Sequence, residues 1–224
     1  MKFSALIFDF NGVLWWDNQL QETAWQKFAE QMRGRPFTAD EMGLHVHGRS
    51  NRYTLEYLTQ QTLSGEQTES LSEQKETLYR EMCLALGDKF RLSPGTTELL
   101  DFLVANQIPH TIATASGKSN VDFFSEKLEL ARWFDLNQIV FDDGVRLGKP
   151  APDFYRDAAQ TLNIAPGRCV VVEDSHSGMA AALAAGIGHI VALGPPKMHD
   201  RLAQVKGVNR VVTDLSQIPR RLFI

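Results

Sequence analysis

Along the chain, short apolar runs alternate with longer stretches whose apolar residues recur every three or four positions. Five runs rich in β-branched and aromatic residues, at 3–8, 110–113, 138–141, 168–172 and 188–193, end where small, polar or turn residues begin. Runs of this kind mark parallel strands covered by helices on both faces. Their alternation with helical stretches predicts an α/β fold with a doubly wound, Rossmann-like parallel sheet.

Residues 16–89 break that alternation. Helical patterns over 19–32, 51–62 and 66–86 follow one another with few convincing strands, separated by Arg33-Gly34-Arg35-Pro36 and by Ser64-Gly65. The economical interpretation is a smaller all-helical cap at 16–89, inserted after the first strand, with 1–15 and 90–224 forming the core. Pro94-Gly95 marks the return to the core and opens a helix over 96–106.

Composition narrows the partners more than the fold. A chain of 224 residues suffices for one α/β domain with a smaller insert. Its formal net charge of −4 gives no electrostatic reason to expect a nucleic acid or an anionic membrane. Cys83 and Cys169 match no zinc or redox spacing, and Cys169, within an apolar run, reads as a small buried hydrophobe. The apolar run at the N-terminus is too short for a membrane span or an ordinary secretory signal, and no later stretch is long and apolar enough to span. These features lead us to expect a cytoplasmic protein. Nothing in the sequence specifies an oligomeric state.

In an open parallel sheet, ligands bind beyond the carboxyl ends of the strands. Four polar groups fall there in order: Asp9, Thr114, the loop carrying Lys149, and the pair Glu173-Asp174. Asp9 can attack phosphorus if a cation screens the phosphate, and Gly12 permits a tight turn that brings main-chain groups close to an anion. Thr114 and the backbone N–H groups after it could cradle a phosphate as helix N-termini do. Lys149, in the proline-stiffened run Lys149-Pro150-Ala151-Pro152-Asp153, can balance charge between a carboxylate and a phosphate. Adjacent carboxylates at 173 and 174 are costly without a cation or strong donors, and Asp174 with Asp9 would make an oxygen-rich site suited to Mg²⁺. Taken singly, each has a plainer role: Asp9 before an Asn-Gly turn, Thr114 or Ser116 as a helix cap, Lys149 as a solvated lysine. Their order along the chain is what favours chemistry.

As a set, these motifs resemble the haloacid-dehalogenase superfamily, in its phosphatase and phosphomutase branch with a helical cap after the first strand. The likeness is closest to the β-phosphoglucomutase-like group, through Thr114-Ala115-Ser116, Lys149-Pro150-Ala151-Pro152-Asp153 and Glu173-Asp174-Ser175. The resemblance implies that Asp9 is a nucleophile forming an aspartyl-phosphate. Mg²⁺ would be held by the Asp9 and Asp174 side chains and the Asn11 carbonyl, with Glu173 supporting the site or ligating. Thr114, the Ala115 N–H and Ser116 would hold the phosphoryl group, and Lys149 would balance charge. In the cap, His47-Gly48-Arg49-Ser50 resembles a segment that sets an arginine on the substrate, which would make Arg49 a substrate contact.

The departure from the family is Asn11, where most members carry a second aspartate that protonates the leaving oxygen and then activates water. An amide cannot take that role. Three accounts compete: substrates whose leaving groups need little protonation, a proton from Asp17 or a cap residue, or binding of phosphate compounds with little turnover. Arg49 stands where phosphonoacetaldehyde hydrolases carry an imine-forming lysine, which disfavours that chemistry. Gln21 stands where the mutases carry a hinge histidine, which disfavours a sugar-phosphate mutase. Asp174 and the Lys149 loop fit the Mg²⁺-dependent branch better than a dehalogenase. Trp15 and Trp16 read as packing residues where the cap begins. The expected function is Mg²⁺-dependent hydrolysis of a small phosphorylated metabolite, slow or restricted to good leaving groups.

Overall fold

The computed structural model describes residues 2–46 and 49–224. Its elements begin with β1 (Ala5–Phe8), α1 (Asn18–Arg33), α2 (Ala39–Glu41), a π-helical turn at Met42–Val46, α3 (Asn51–Thr59), α4 (Gly65–Ala85) and α5 (Thr96–Ala105). They continue with β2 (His110–Gly117), α6 (Lys118–Lys127), β3 (Val140–Asp142), α7 (Asp153–Thr161), β4 (Cys169–Glu173) and α8 (His176–Ala184). The last are β5 (His189–Leu193), α9 (His199–Ala203) and β6 (Val208–Val212). The chain divides into two units, Met1–Trp16 with Arg91–Ile224, and Asp17–Phe90.

The first unit holds a parallel sheet in the order β3-β2-β1-β4-β5-β6. The doubly wound core expected from the alternation is thus the one observed. Burial explains the uninterrupted apolar runs: every residue of β1 and β4 is inaccessible to solvent, with helices packed on both faces. Strand order reverses between β1 and β4, the place where an open sheet leaves a crevice at its carboxyl edge. The chain leaves this unit after Trp16 and returns at Arg91, and the return is tied to the exit. Ser93 donates from its amide to the Leu14 carbonyl (2.8 Å) and from its hydroxyl to the Val13 carbonyl (2.6 Å).

Two expectations need correction. Strand β2 does not end at Ala113 but runs on to Gly117, and α6 begins at Lys118. Thr114 and Ser116 therefore stand on an extended strand and are not helix caps. A sixth strand, β6, was not expected from the sequence. As an edge strand it leaves Asn209 and Arg210 in solvent, so it carries no continuous apolar run.

In the second unit, α1 to α4 enclose their own apolar cluster of Trp25, Phe28, Phe37, Met42, Val46, Leu55 and Leu58 with their neighbours. Two helices open on capping boxes, Thr38 with Glu41 and Ser64 with Gln67, which satisfy first-turn N–H groups. Glu41 also gathers a charge cluster: Arg33 and Arg35 each reach both its oxygens at 2.9–3.1 Å, and the Tyr57 hydroxyl donates at 2.8 Å. Hydrogen bonds from Arg35, then Arg33, hold the Glu41 carboxyl well below the usual carboxylate range. Asp17 is buried and accepts from Tyr79 Oη at 2.6 Å and Gln21 Nε2 at 3.1 Å. Its carboxylate is thereby engaged inside the helical unit, which argues against Asp17 as the proton source. Buried Lys75 donates to Gln21 and Glu76 and faces the rings of Trp25 and Tyr79.

Candidate active site

The groups at the carboxyl edge of the sheet arise from four connections. Asp9 follows β1 directly, and its amide donates to the Val172 carbonyl of β4 at 3.0 Å, so the two strands hold it between them. After it the chain turns tightly: Val13, Leu14 and Trp15 all donate to the Phe10 carbonyl, and Gly12 donates to Trp15. Gly12 has φ +78° and lies against Asp174, whose Oδ2 is 2.1 Å from where a β-carbon would stand. Only glycine meets both conditions, and its missing side chain gives the Asp174 carboxylate its place.

Lys149, from the loop between β3 and α7, is the cation of the site. Its ammonium donates to Glu173 Oε1 (2.7 Å), Asp9 Oδ1 (2.8 Å), the Tyr155 hydroxyl (3.0 Å) and, at 3.4 Å, the Ala113 carbonyl. Glu173, fully buried, has both oxygens occupied. Oε1 also accepts from Tyr155 Oη at 2.7 Å, and Oε2 accepts from the Ser175 amide and hydroxyl, both at 2.9 Å. Its carboxylate fills the space over Gly178 in the first turn of α8, where a β-carbon would fall 1.6 Å from Oε1.

The electrostatics follow from this wiring. Burial alone would raise the Glu173 carboxyl, but Lys149, the Ser175 amide and Tyr155 together hold it below its ordinary value. Burial would lower Lys149; its two carboxylate partners outweigh that and raise it. Asp9 goes the other way, pushed up to about 7 by burial, with Lys149 opposing and Glu173 reinforcing the rise. Burial and the nearby Glu173 raise Tyr155 well above the ordinary phenol value, so its hydroxyl keeps its proton.

Asp9, Glu173 and Asp174 each offer an oxygen within 4.8 Å of one another. With all three carboxylates ionised against one ammonium, the cluster carries two excess negative charges. A hard divalent cation with oxygen ligands fits such a cluster. Both Glu173 oxygens already accept hydrogen bonds, from Lys149, Tyr155 and Ser175.

On the β2 side, Thr114 is buried and its Oγ1 accepts from the Ser116 amide at 3.1 Å, while Ala115 is exposed. The Ser116 hydroxyl donates to Asn11 Oδ1 at 2.7 Å, joining Asn11 to strand β2. The α/β unit thus carries Asp9, Asn11, Gly12, Thr114, Ala115, Ser116, Lys149, Glu173 and Asp174. Arg49 belongs to the helical unit, where its Nε donates to the Leu44 carbonyl and its guanidinium lies 5.0 Å from the Tyr53 ring centre. His47 and Gly48, in the segment read as a substrate contact, lie outside the described residues. The sequence motifs included Ser175 without giving it a role, and missed Tyr155 and the place that Gly178 leaves for the Glu173 carboxylate. The buried cost of a Lys-Glu pair is the signal that could have prompted a search for further donors.

Residues 3–186 match the family model described as haloacid dehalogenase-like hydrolase. The chain is 33% identical over 186 residues, 83% of each chain, to a phosphorylated carbohydrates phosphatase of Thermotoga maritima. It is 32% identical over 222 residues, 97% of this chain and 94% of the relative, to hexitol phosphatase A of Escherichia coli. Among solved structures it is similar to a HAD hydrolase, family IA, variant 3, of Entamoeba histolytica, with a TM-score of 0.89 and 36% identity over 98% and 96% of the two chains.

Proposed function

The chain belongs to the haloacid dehalogenase-like hydrolase family, and on that premise we propose that it is a Mg²⁺-dependent phosphatase of small phosphorylated metabolites. The observation that carries this reading is the convergence of Asp9, Lys149, Glu173 and Asp174 at the switch point of the sheet. Sugar and sugar-alcohol phosphates are the first substrates to try, because two of the relatives are named for them.

In this reading Asp9 attacks phosphorus, the ester P–O bond breaks, and water later cleaves the aspartyl-phosphate to release inorganic phosphate and restore the carboxylate. Bound between Asp9, Asp174 and the Asn11 carbonyl, Mg²⁺ would supply positive charge against the phosphoryl oxygens. Lys149 orients Asp9 and opposes the rise of its pKa, and Glu173 holds Lys149. Thr114, the Ala115 N–H and Ser116 receive the phosphoryl group. Asn11 orders the pocket through Ser116 but transfers no proton, so the leaving oxygen departs with little protonation. That favours substrates with good leaving groups.

Phosphate release from acetyl phosphate, hexose phosphates and hexitol phosphates, with Mg²⁺ and with chelator, tests the proposal. Release is expected to require Mg²⁺ and to vanish in Asp9→Asn. No release by either the wild type or Asn11→Asp would end it. The amide at position 11 favours one second reading, a phosphate-ligand-binding protein with little turnover. Calorimetry showing tight binding without turnover would select it. Conversion of β-glucose 1-phosphate to the 6-phosphate would instead establish a mutase.

A further inference from the structure

A lysine ammonium has three N–H groups, and around Lys149 three acceptors stand at hydrogen-bonding distance: Glu173 Oε1 (2.7 Å), Asp9 Oδ1 (2.8 Å) and Tyr155 Oη (3.0 Å). The Ala113 carbonyl is a fourth, longer at 3.4 Å. Tyr155 has one hydroxyl proton, and its 2.7 Å contact directs that proton to Glu173 Oε1. Toward Lys149 its oxygen therefore accepts. The phenol thus closes a ring of three contacts with Lys149 and Glu173, and Lys149 Nζ also lies 4.9 Å from the centre of its ring. Tyr155 is fully buried in the first turn of α7, six residues after Lys149, so backbone and packing hold the hydroxyl in place.

We infer that Tyr155 is a positioning residue: its hydroxyl holds the third N–H of Lys149 and so keeps the other two on Asp9 and Glu173. The inference rests on the phosphoryl-transfer reading, in which Lys149 orients the nucleophile. Without the hydroxyl, the third N–H is left with the Ala113 carbonyl, and the ammonium turns toward it. Packing alone does not account for the hydroxyl, since phenylalanine would fill the same space.

The test compares Tyr155→Phe, Lys149→Met and the double variant with the wild type, using acetyl phosphate and Mg²⁺. Losing one hydrogen bond to a charged group should lower kcat about tenfold in Tyr155→Phe, with KM changed less than about twofold. In the Lys149→Met background the same change should alter kcat by less than about twofold, because the partner it acts through is gone. An unchanged kcat in Tyr155→Phe, or an equal loss in both backgrounds, overturns the inference. So does a Tyr155→Phe protein that no longer folds, which would make the hydroxyl structural.

A second readout needs neither metal nor activity. In a nitrogen-15-edited spectrum of the lysine ammonium groups, the Lys149 signal is assigned by its loss in Lys149→Met. It should shift and exchange faster with water in Tyr155→Phe. An unchanged signal overturns the inference even if the wild type is active. A shifted signal in a protein that releases no phosphate supports the Tyr155 contact and counts against the phosphatase reading alone.

Discussion

Replacing Asn11 by aspartate tests the most unusual position of the site. The two side chains have nearly the same shape, and Asn11 Oδ1 already accepts from the Ser116 hydroxyl at 2.7 Å. A carboxylate would keep that contact, so the change is confined to the second terminal atom, where an amide nitrogen becomes an oxygen that can carry a proton. General acid–base help is worth about 10²–10⁴ in rate, or roughly 2.7–5.4 kcal/mol of barrier. For alkyl phosphates, whose alkoxide must be protonated, kcat/KM should therefore rise by about 10²–10⁴ in Asn11→Asp. For acetyl phosphate, whose leaving carboxylate needs no proton, the change should stay within about threefold. The assay is phosphate release over a series of esters spanning leaving-group pKa, run on both proteins, with the slope of log kcat/KM compared. A parallel rise across the series, or none on alkyl phosphates, would refute the argument that a missing proton limits the enzyme.

Further outcomes follow from other contacts. Gly12→Ala would put a β-carbon 2.1 Å from Asp174 Oδ2 at φ +78°, so Mg²⁺ binding followed by calorimetry should weaken at least about tenfold. Tyr79→Phe removes the 2.6 Å donor to buried Asp17, and thermal or urea unfolding should show a loss of about 1–3 kcal/mol. Glu41 has a depressed carboxyl, so its stabilisation is present above the unfolded value of about 4.3 and is lost only as pH falls further toward the folded one. The difference in Tm between wild type and Glu41→Gln should accordingly stay constant from about pH 8 to 5 and shrink only below about pH 4.

Much of the fold was legible because burial on both faces writes itself into continuous apolar runs. Strands β1, β4 and β5 are of this kind. Strand β6 escaped because an edge position lets Asn209 and Arg210 face solvent, and the extension of β2 escaped because Thr114 to Gly117 have the composition of a turn. At the site, the charged members were legible from their order along the chain. Tyr155 was not, since a tyrosine in the first turn of a helix has the same pattern whether its hydroxyl meets water or a buried ion pair. Gly12 was legible as a turn residue, but the spaces that Gly12 and Gly178 leave for carboxylates were not. The two glycines leave room for Asp174 and Glu173, and an absent side chain has no chemistry for a motif to display.

The bonds from Ser93 to Val13 and Leu14 bear on how the inserted segment joins the sheet. They pin the outgoing and returning chain side by side within the α/β unit, so the insertion of Asp17 to Phe90 costs the sheet no more than one hydrogen-bonded junction. The inserted segment in turn closes an apolar cluster of its own, so each unit meets its burial requirement from its own residues.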